Sequence, residues 1–329
     1  MALIYGGDSS EVEISIKSAQ NVFLNIDRVG YNVYGIFLQG KSWRVSNPDG
    51  GDIVDFKAIY GVEVDKTDFS FEYKGSRIKF DLAFIMIHGT PGENGLLQGY
   101  LEMLGVPHNT CSSFVSAITF DKHACKRFLD NSGIKMAKDV YIRKGGKYDC
   151  NSIVKELGLP IFVKPTSGGS SFGVTKVKRV EDLPKAIDEA FKESDSIIIE
   201  ECIMGRELTN GLFVNGGEVV VLPITEIVTE REFFDYEAKY LGESREICPA
   251  EIDDDLTERI KNVSRAIYNY MGCSGLVRID YIVKNSDIYF LEMNIVPGMT
   301  QMSLVPMQVK AMGMEIKEFF NILLNNILS

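Results

Sequence analysis

Short apolar segments alternate with segments of helical periodicity along the first part of the chain. Residues 2–5 form an apolar run that predicts a β-strand, and further strands are predicted at 31–38 and 81–87. A helix is predicted at 96–104. Another is predicted after Gly6-Gly7, because apolar side chains recur every three or four positions at Val12, Ile16, Ala19, Phe23 and Ile26. Strands alternating with helices are typical of an α/β unit with a parallel sheet, so we predict a first domain over residues 1–115.

The middle of the chain places a glycine-rich segment, residues 165–173, between two predicted strands. The predicted elements of this region are helices at 120–129 and 184–192 and strands at 159–164, 174–178 and 196–200. We assign them to a second domain, residues 116–200.

The last part of the chain is richer in antiparallel patterns, so we predict an α/β protein whose C-terminal part is α+β. Two predicted strands flank Asn215-Gly216-Gly217, a typical hairpin turn. Residues 230–248 are polar, aromatic and aperiodic, so we predict a long loop that acts as a lid. The predicted elements are strands at 207–214, 218–224, 275–283 and 288–294 and helices at 256–271, 306–312 and 315–328. We assign them to a third domain, residues 201–329.

Composition is that of a globular protein with an acidic balance. Of 329 residues, 45% are apolar, Lys and Arg number 35, and Asp and Glu number 46, which gives a formal net charge of −11. The apolar content is sufficient for a core, which argues against disorder as the main state. A general nucleic-acid or anionic-membrane binder needs clustered Lys and Arg, so we predict neither partner.

The sequence also predicts a cytosolic protein with reduced thiols. The most apolar run, residues 82–87, is far shorter than the roughly 20 residues that cross a bilayer. The first lysine is Lys17, so the N-terminus lacks the basic head of a signal peptide. Six cysteines are scattered without a CxxC motif, which makes a zinc site or a disulfide framework a poor interpretation.

The glycine-rich segment 165–173 is a candidate phosphate site. Glycines let backbone N–H groups approach an anion closely, and Lys164 directly before the segment adds a cation. The segment lacks the GKS/T ending of a Walker loop, and it connects two strands rather than a strand and a helix. A flexible hairpin tip beside a solvated lysine is an equally good interpretation of this segment alone.

A second cluster of polar residues lies on two neighbouring predicted strands. Because side chains alternate along a strand, Arg278 shares a face with Asp280, and Glu292 shares one with Asn294. A hairpin that pairs residue 283 with 289 sets Asp280 opposite Glu292 and Arg278 opposite Asn294, whereas a slip of one residue separates the two sets. Two carboxylates and an amide oxygen suit Mg²⁺. The alternative is a salt-bridged, solvated face.

Three further segments offer weaker signals. Ser303 enters a predicted helix after a Pro-Gly turn, and such a helix start binds a carboxylate or is simply capped. Glu13 is the last residue of the motif Ser10-Glu11-Val12-Glu13, which predicts a capping box. Capping alone would explain a glutamate at this position, without a role in substrate binding. His88 follows a buried strand at the edge where α/β proteins bind ligands.

Taken in order, these motifs resemble the D-alanine–D-alanine ligases of the ATP-grasp superfamily. The resemblance covers nearly the whole chain, and the ordered set is specific although each motif alone is weak. The matching segments are 6–15, 88–99, 164–173, 200–207, 234–240, 278–280, 292–294 and 297–306.

The resemblance implies an ATP-grasp fold that binds ATP between the central and C-terminal domains. It implies two Mg²⁺ ions, with Mn²⁺ as a substitute, held by Asp280, Glu292 and Asn294. The implied ATP contacts are Lys122, Lys164, Ser171 and Lys239 at the phosphates and Glu200, Glu201, Ile203 and Glu207 at the adenosine.

It also implies the reaction, in which ATP activates one D-alanine as an acyl phosphate and the amine of a second D-alanine attacks it. The product is D-alanyl-D-alanine for peptidoglycan precursors, and the implied assembly is a homodimer. The implied substrate contacts are Glu13 with Ser170 and Tyr240 at the first D-alanine, Arg278 and Gly298 at the oxyanion, Ser303 and Leu304 at the second carboxylate, and His88 in the same pocket.

Two rival functions stay open at this point. A D-alanine–D-lactate ligase would share the whole apparatus, although Tyr240 favours the dipeptide over the ester. A catalytically inactive nucleotide-binding protein would have lost Arg278 or a metal ligand, and this chain keeps them.

Overall fold

The computed structural model describes residues 1–169, 172–229 and 244–328. The first region contains a five-stranded sheet in the order β4-β3-β2-β1-β7, in which β1 lies parallel to both β2 and β7. This confirms the predicted parallel core, whereas the antiparallel strands β3 to β6 were not predicted. The elements are β1 (Ala2–Gly6), α1 (Val12–Asn25), β2 (Tyr34–Gln39), β3 (Ser42–Val45), β4 (Val62–Glu63), β5 (Ser70–Tyr73), β6 (Ser76–Lys79), β7 (Ala83–Ile85), α2 (Leu96–Met103) and α3 (Ser113–Phe120).

The predicted capping box at the start of α1 is wrong. The N-cap position is Glu11, and its side chain makes no capping hydrogen bond. Ser9 acts instead, because its Oγ accepts from the Glu11 amide at 3.2 Å and donates to the His88 carbonyl at 2.7 Å. The contact between Ser9 and the His88 carbonyl therefore holds the start of the helix near the end of β7, and Glu13 does not serve as a capping residue.

The second region forms an antiparallel sheet in the order β11-β10-β12-β9. Its inner side chains and those of α5 and α6 form a separate hydrophobic core that includes Ile153, Val163 and Ile187. The predicted strand-to-strand course of the glycine-rich segment is confirmed, since it joins β10 to β11. The elements are α4 (Lys122–Leu129), β8 (Lys135–Met136), β9 (Asp139–Arg143), α5 (Cys150–Leu157), β10 (Ile161–Pro165), β11 (Thr175–Val177), a 3₁₀ turn (Val180–Asp182), α6 (Leu183–Glu193) and β12 (Ser196–Glu201).

The third region is built on a sheet in the order β16-β15-β13-β17-β18-β8, with β14 paired to β13. The predicted hairpin is confirmed, with Asn215 opposite Glu218 across Gly216-Gly217. The elements are β13 (Arg206–Asn215), β14 (Glu218–Val221), β15 (Thr225–Thr229), β16 (Ser244–Ile247), α7 (Asp254–Met271), β17 (Val277–Lys284), β18 (Asp287–Asn294), α8 (Leu304–Ala311) and α9 (Ile316–Leu328).

The predicted loop 230–248 is wrong at its end. Residues 244–247 form β16, which pairs antiparallel with β15 from Glu226 opposite Ile247. Pairing with a neighbouring strand supplies the backbone hydrogen bonds that the local sequence pattern does not reveal. Residues 230–243, which include most of the predicted lid, lie outside the described residues.

The first and third regions share one hydrophobic core, to which α4 adds Cys125 and Leu129, whereas the sheet of the second region has a separate core with α5 and α6. A hydrogen bond also joins the first region to the third, because the side-chain amide of Asn21 on α1 donates to the Met299 carbonyl at 2.7 Å. The predicted domain boundaries near 115 and 200 stay a prediction. In the described part of the chain, no helix has the length and apolar character needed to cross a membrane.

Candidate active site

One cavity of about 1210 Å³ gathers residues from all three regions. The predicted site residues at 170, 171, 239 and 240 (Ser170, Ser171, Lys239 and Tyr240) lie outside the described residues. Each of the other predicted site residues lines this cavity: Glu13, His88, Lys122, Lys164, Glu200, Glu201, Ile203, Glu207, Arg278, Asp280, Glu292, Asn294, Gly298, Ser303 and Leu304. Positions separated by up to about 290 residues in sequence therefore meet around one space.

The hairpin of β17 and β18 carries the cluster of charged residues. Asp280 lies opposite Glu292, and Arg278 lies opposite Asn294, as predicted. The predicted partner of residue 283 is wrong by one position, because Val283 pairs with residue 288. A β-bulge between residues 280 and 281 shifts the register and restores the predicted pairing at the charged end.

Arg278 and Asp280 form a two-pronged ion pair. Nε of Arg278 donates to Oδ1 of Asp280 at 2.9 Å and Nη2 donates to Oδ2 at 2.8 Å. The Thr209 hydroxyl donates to the same carboxylate, and Nδ2 of Asn294 lies 3.3 Å from its Oδ2. The Asp280 side chain is 7% exposed, so its charge is held by these neighbours in a largely dry setting.

The oxygen donors of this hairpin fit Mg²⁺ in kind and number. A magnesium ion commonly takes one or two carboxylates and completes its shell with phosphate oxygens and water. Asp280 and Glu292 would supply the carboxylates, and the Asn294 side-chain amide lies beside them, with its Nδ2 3.3 Å from Oδ2 of Asp280. Within 1–169, 172–229 and 244–328, no three His, Cys, Asp or Glu side chains are grouped so that they could hold a metal ion by themselves.

Lys122 bridges the glycine-rich segment and the acidic hairpin. Its Nζ donates to the Gly168 carbonyl at 3.2 Å and lies 4.0 Å from Oε2 of Glu292. The Lys122 backbone amide also donates to the Thr166 carbonyl at 2.8 Å. This cation is therefore fixed at the point where the two flanking regions meet.

A second group of charges lies on the opposite wall. The buried Glu200 carboxylate accepts from Lys164 Nζ and from Lys126 Nζ, each at 2.6 Å. Burial by itself would raise the pKa of Glu200, but the two lysines lower it to about 2. Burial would lower the pKa of Lys164, and the Glu200 carboxylate more than offsets this and raises it. Both groups are charged at neutral pH.

Lys126 was not among the predicted site residues. The residue follows Lys122 by one helical turn on α4, so the two lysines lie on the same face of that helix. This four-residue spacing from a predicted phosphate-binding lysine was the feature of the sequence that could have indicated Lys126. Lys126 is only 3% exposed, which is rare for a lysine and requires the partners that it has.

The two glutamates at the start of α1 point in different directions. Oε1 of Glu13 is ion-paired with Lys57 Nζ at 2.8 Å, and its side chain is 66% exposed. Glu11 extends toward the glycine-rich segment, because a Cβ built on Gly169 would lie 2.9 Å from its Oε2. Sequence analysis missed Glu11, although it stands two positions before Glu13 in the same motif.

His88 is buried and Glu93 is half-buried, and both lie near Glu11. Nδ1 of His88 donates to the Val296 carbonyl at 2.9 Å, and burial lowers the pKa of this imidazole. Oε2 of Glu93 accepts from the Gly89 amide at 2.7 Å. Burial, aided by the charge of Glu11, raises the pKa of Glu93 to about 8. Both pKa shifts favour the uncharged forms of these side chains.

The segment after β18 leads into α8. Ser303 is the N-cap of this helix, and its Oγ accepts from the Thr300 amide at 3.0 Å. A Cβ added at Gly298 would lie 2.9 Å from the Ser303 Oγ, so the glycine leaves room for that hydroxyl. The Leu304 amide is at the first turn of the helix, where N–H groups have no helical partner. This end of the cavity suits a small carboxylate.

The chain matches known proteins over nearly its whole length. The family model "D-ala D-ala ligase N-terminus" matches residues 1–111, and "D-ala D-ala ligase C-terminus" matches residues 128–325. A D-alanine–D-alanine ligase from Phocaeicola vulgatus is 46% identical over 99% of this chain and 98% of its own.

Solved structures give the same result. The VanG D-Ala:D-Ser ligase from Enterococcus faecalis has a TM-score of 0.85 at 32% identity, over 99% of this chain and 98% of its own. A D-alanine–D-alanine ligase from Bacillus anthracis, complexed with ATP, has a TM-score of 0.77 at 29% identity, over 99% and 96%. These likenesses confirm the predicted ATP-grasp fold. The chain belongs to the D-alanine–D-alanine ligase family.

Proposed function

We propose that this protein joins two molecules of D-alanine into D-alanyl-D-alanine, with ATP converted to ADP and phosphate. The observation that carries the proposal is the meeting of Lys122, Lys164, Arg278, Asp280 and Glu292 around one cavity. A protein that only kept the fold would have no need for three cations and two carboxylates in that space. The family to which the chain belongs supports the same reaction.

ATP is proposed to lie between the second sheet and the β17–β18 hairpin. Glu200 and the chain that follows it on β12 line the cavity on one side, and Glu207 on β13 lines it nearby. These groups would hold adenine and ribose. Lys164 and Lys122 would then face the phosphates, which they approach from β10 and from α4.

Asp280, Glu292 and Asn294 would hold Mg²⁺. When bound, the ion offsets the negative charge of the triphosphate and aligns the transferred phosphoryl group. The remaining contributions come from the chain itself. Lys122 lies 4.0 Å from Glu292, so it can neutralise phosphate oxygens beside the metal ligands.

The first step is activation of a carboxylate, which is a poor electrophile. A carboxylate oxygen of the first D-alanine attacks the γ-phosphorus of ATP, the bond from that phosphorus to the bridging oxygen breaks, and ADP leaves. The product is an acyl phosphate. Glu11 is proposed to hold the ammonium of this D-alanine, because its carboxylate is directed toward Gly169 across the cavity, whereas Glu13 is already paired with Lys57.

The second step is attack by the amine of the other D-alanine. A tetrahedral oxyanion forms and then collapses, which releases phosphate and leaves the peptide bond. Arg278 and the Gly298 amide are proposed to stabilise this oxyanion, and the α8 start at Ser303 and Leu304 to bind the second carboxylate. The predicted lid contacts at Lys239 and Tyr240 remain part of the proposal.

The direct test is incubation with ATP, Mg²⁺ and D-alanine, followed by mass spectrometry of the products. The proposal expects D-alanyl-D-alanine and one phosphate per dipeptide, and no dipeptide from L-alanine. D-Lactate and D-serine are offered as competitors, because the relatives include a ligase named for D-serine. A mixed product that exceeds D-alanyl-D-alanine at equal concentrations would replace the second substrate in this proposal.

We also propose a cellular location and an oligomeric state. ATP and reduced thiols are both typical of the cytosol, where we place the protein, and the described cysteines form no disulfide with one another. The homodimer implied by the resemblance stays a prediction. Sedimentation at micromolar concentration separates a monomer of 36.8 kDa from a dimer.

A further inference from the structure

Lys126 is a buried lysine whose ammonium group has three protein oxygen atoms close to it. Its Nζ lies 2.6 Å from Oε1 of Glu200, 2.7 Å from the Ala137 carbonyl and 3.0 Å from Oδ2 of Asp139. Two of these contacts are hydrogen bonds and the one to Asp139 is an ion pair, so protein atoms surround the ammonium group. The described residues that line the cavity include Glu200 and Ala137 but not Lys126.

We propose that Lys126 is a positioning residue that keeps Glu200 ionised and fixed, so that the site selects a purine with an amino group over one with an oxo group. The inference rests on the proposed function, because it takes the nucleobase to lie against Glu200. Lys126 would act only through Glu200 and would not touch the nucleotide.

The two lysines on Glu200 differ in what ties them down. Lys164 Nζ donates to Oε2 of Glu200 at 2.6 Å, and its side chain is 14% exposed to the cavity that would hold the phosphates. A bound triphosphate competes with Glu200 for Lys164. Lys126 is held on a second side by Asp139, which is itself bound by Arg127 at 2.7 Å. Lys126 is therefore the partner that stays with Glu200 in the nucleotide complex.

An ionised carboxylate only accepts hydrogen bonds. The amino group of adenine donates, whereas the oxygen at the same position of guanine accepts. Glu200 held as an anion thus attracts the first base and repels the second. Without Lys126, Glu200 would lose one of its two cations while buried, which favours the protonated form, and a protonated carboxyl can donate to the guanine oxygen.

The test measures binding of ATP and GTP by calorimetry, without D-alanine, for the wild type, Lys126→Met and Lys126→Arg. A charge-assisted hydrogen bond supports an expected fall of at least about tenfold in the ATP:GTP affinity ratio for Lys126→Met. Lys126→Arg restores a cation and should keep the ratio within about threefold of the wild type. Lys155→Met on the exposed face of α5 is the matched control and should leave the ratio unchanged.

A second comparison keeps the test decisive if Lys126→Met does not fold. The double variant Lys126→Met, Glu200→Gln removes the buried carboxylate together with its lysine, and its ratio should equal that of Glu200→Gln alone. An unchanged ratio in folded Lys126→Met, an equal loss for both nucleotides, or a double variant that differs from Glu200→Gln would overturn the inference. If the wild type binds neither nucleotide, the proposed function fails instead, so the two failures are distinguishable.

Discussion

Arg278→Ala tests the most specific chemical role in the site. The guanidinium is 17% exposed and binds Asp280 through two hydrogen bonds of 2.8 and 2.9 Å. In the variant, Asp280 keeps the Thr209 hydroxyl and the Asn294 amide. We therefore expect the fold to persist and the melting temperature to fall by no more than about 5 °C.

The expected kinetic loss follows from the setting of the guanidinium. Removing one preorganised donor to an oxyanion costs about 100- to 1,000-fold in rate, which is about 2.7–4 kcal/mol. Because Arg278 is mostly buried, solvent does not screen its charge, so the loss should be at least about 100-fold. Asp280 and Glu292 remain, so ATP affinity in the presence of Mg²⁺ should stay within about threefold of the wild type.

The assay is phosphate release at saturating ATP and D-alanine, with calorimetric ATP binding measured in parallel. Arg278→Lys keeps the charge but loses the planar fork, so its rate should lie between those of the wild type and the alanine variant. Arg259→Ala is the matched control, since Arg259 binds the Ser286 carbonyl at the turn of the same hairpin. Turnover of Arg278→Ala within about tenfold of the wild type would refute the oxyanion role.

Three more predictions test other parts of the account. Gly298→Ala should displace the Ser303 hydroxyl, because the new Cβ would lie 2.9 Å from its Oγ, and should raise KM for D-alanine about tenfold. The same change in a Ser303→Ala background should raise KM little further, and an equal rise in both backgrounds would contradict this reasoning. Burial raises the pKa of Glu93 from 4.5 to about 8, so the folded chain holds a proton that the unfolded chain loses between those values, and stability from this group falls as pH rises through them. In denaturant unfolding, the free energy of unfolding of the wild type, measured relative to Glu93→Gln, should fall by about 1–3 kcal/mol as the pH rises across that window. A difference that stays constant with pH would show that the Glu93 carboxyl does not titrate there. Gly275→Ala should lower the free energy of unfolding by at least about 3 kcal/mol, because its Cβ would lie 2.0 Å from a backbone oxygen at a φ of +65°. Gly313→Ala, at a φ of +82° in open space, should lower it by only about 1 kcal/mol. Similar melting temperatures for the two variants would show that Gly275→Ala causes no steric clash.

The charged hairpin shows how far strand periodicity carries a prediction. Side-chain alternation placed Asp280 opposite Glu292 correctly, although the pairing assumed at the hairpin turn was wrong by one residue. The β-bulge compensates for that error at the charged end. A bulge depends on how two strands pack in the sheet, so the sequence of either strand alone does not predict it.

The start of α1 shows where a local pattern misleads. The motif from Ser10 to Glu13 matched a capping box, yet Ser9 makes the capping contact through the His88 loop. That contact spans 79 positions and has no local signature. Because the helix starts differently, Glu11 rather than Glu13 is directed toward Gly169.

Lys126 and β16 were missed for the same physical reason. A buried lysine is recognisable only from its partners, and those partners come from β9, from β12 and from the segment between α4 and β9. An edge strand such as β16 is defined by its hydrogen bonds to β15. Both features depend on contacts between distant segments, which periodicity does not encode.

The most direct measurement of the central claim follows the oxygen atoms of the substrate. D-Alanine carrying ¹⁸O in its carboxylate is incubated with ATP and Mg²⁺, and the released phosphate is analysed by mass spectrometry. Activation as an acyl phosphate predicts that each phosphate carries one ¹⁸O atom from the first D-alanine, since that oxygen leaves with phosphorus when the amine attacks. Dipeptide formed together with unlabelled phosphate would contradict it.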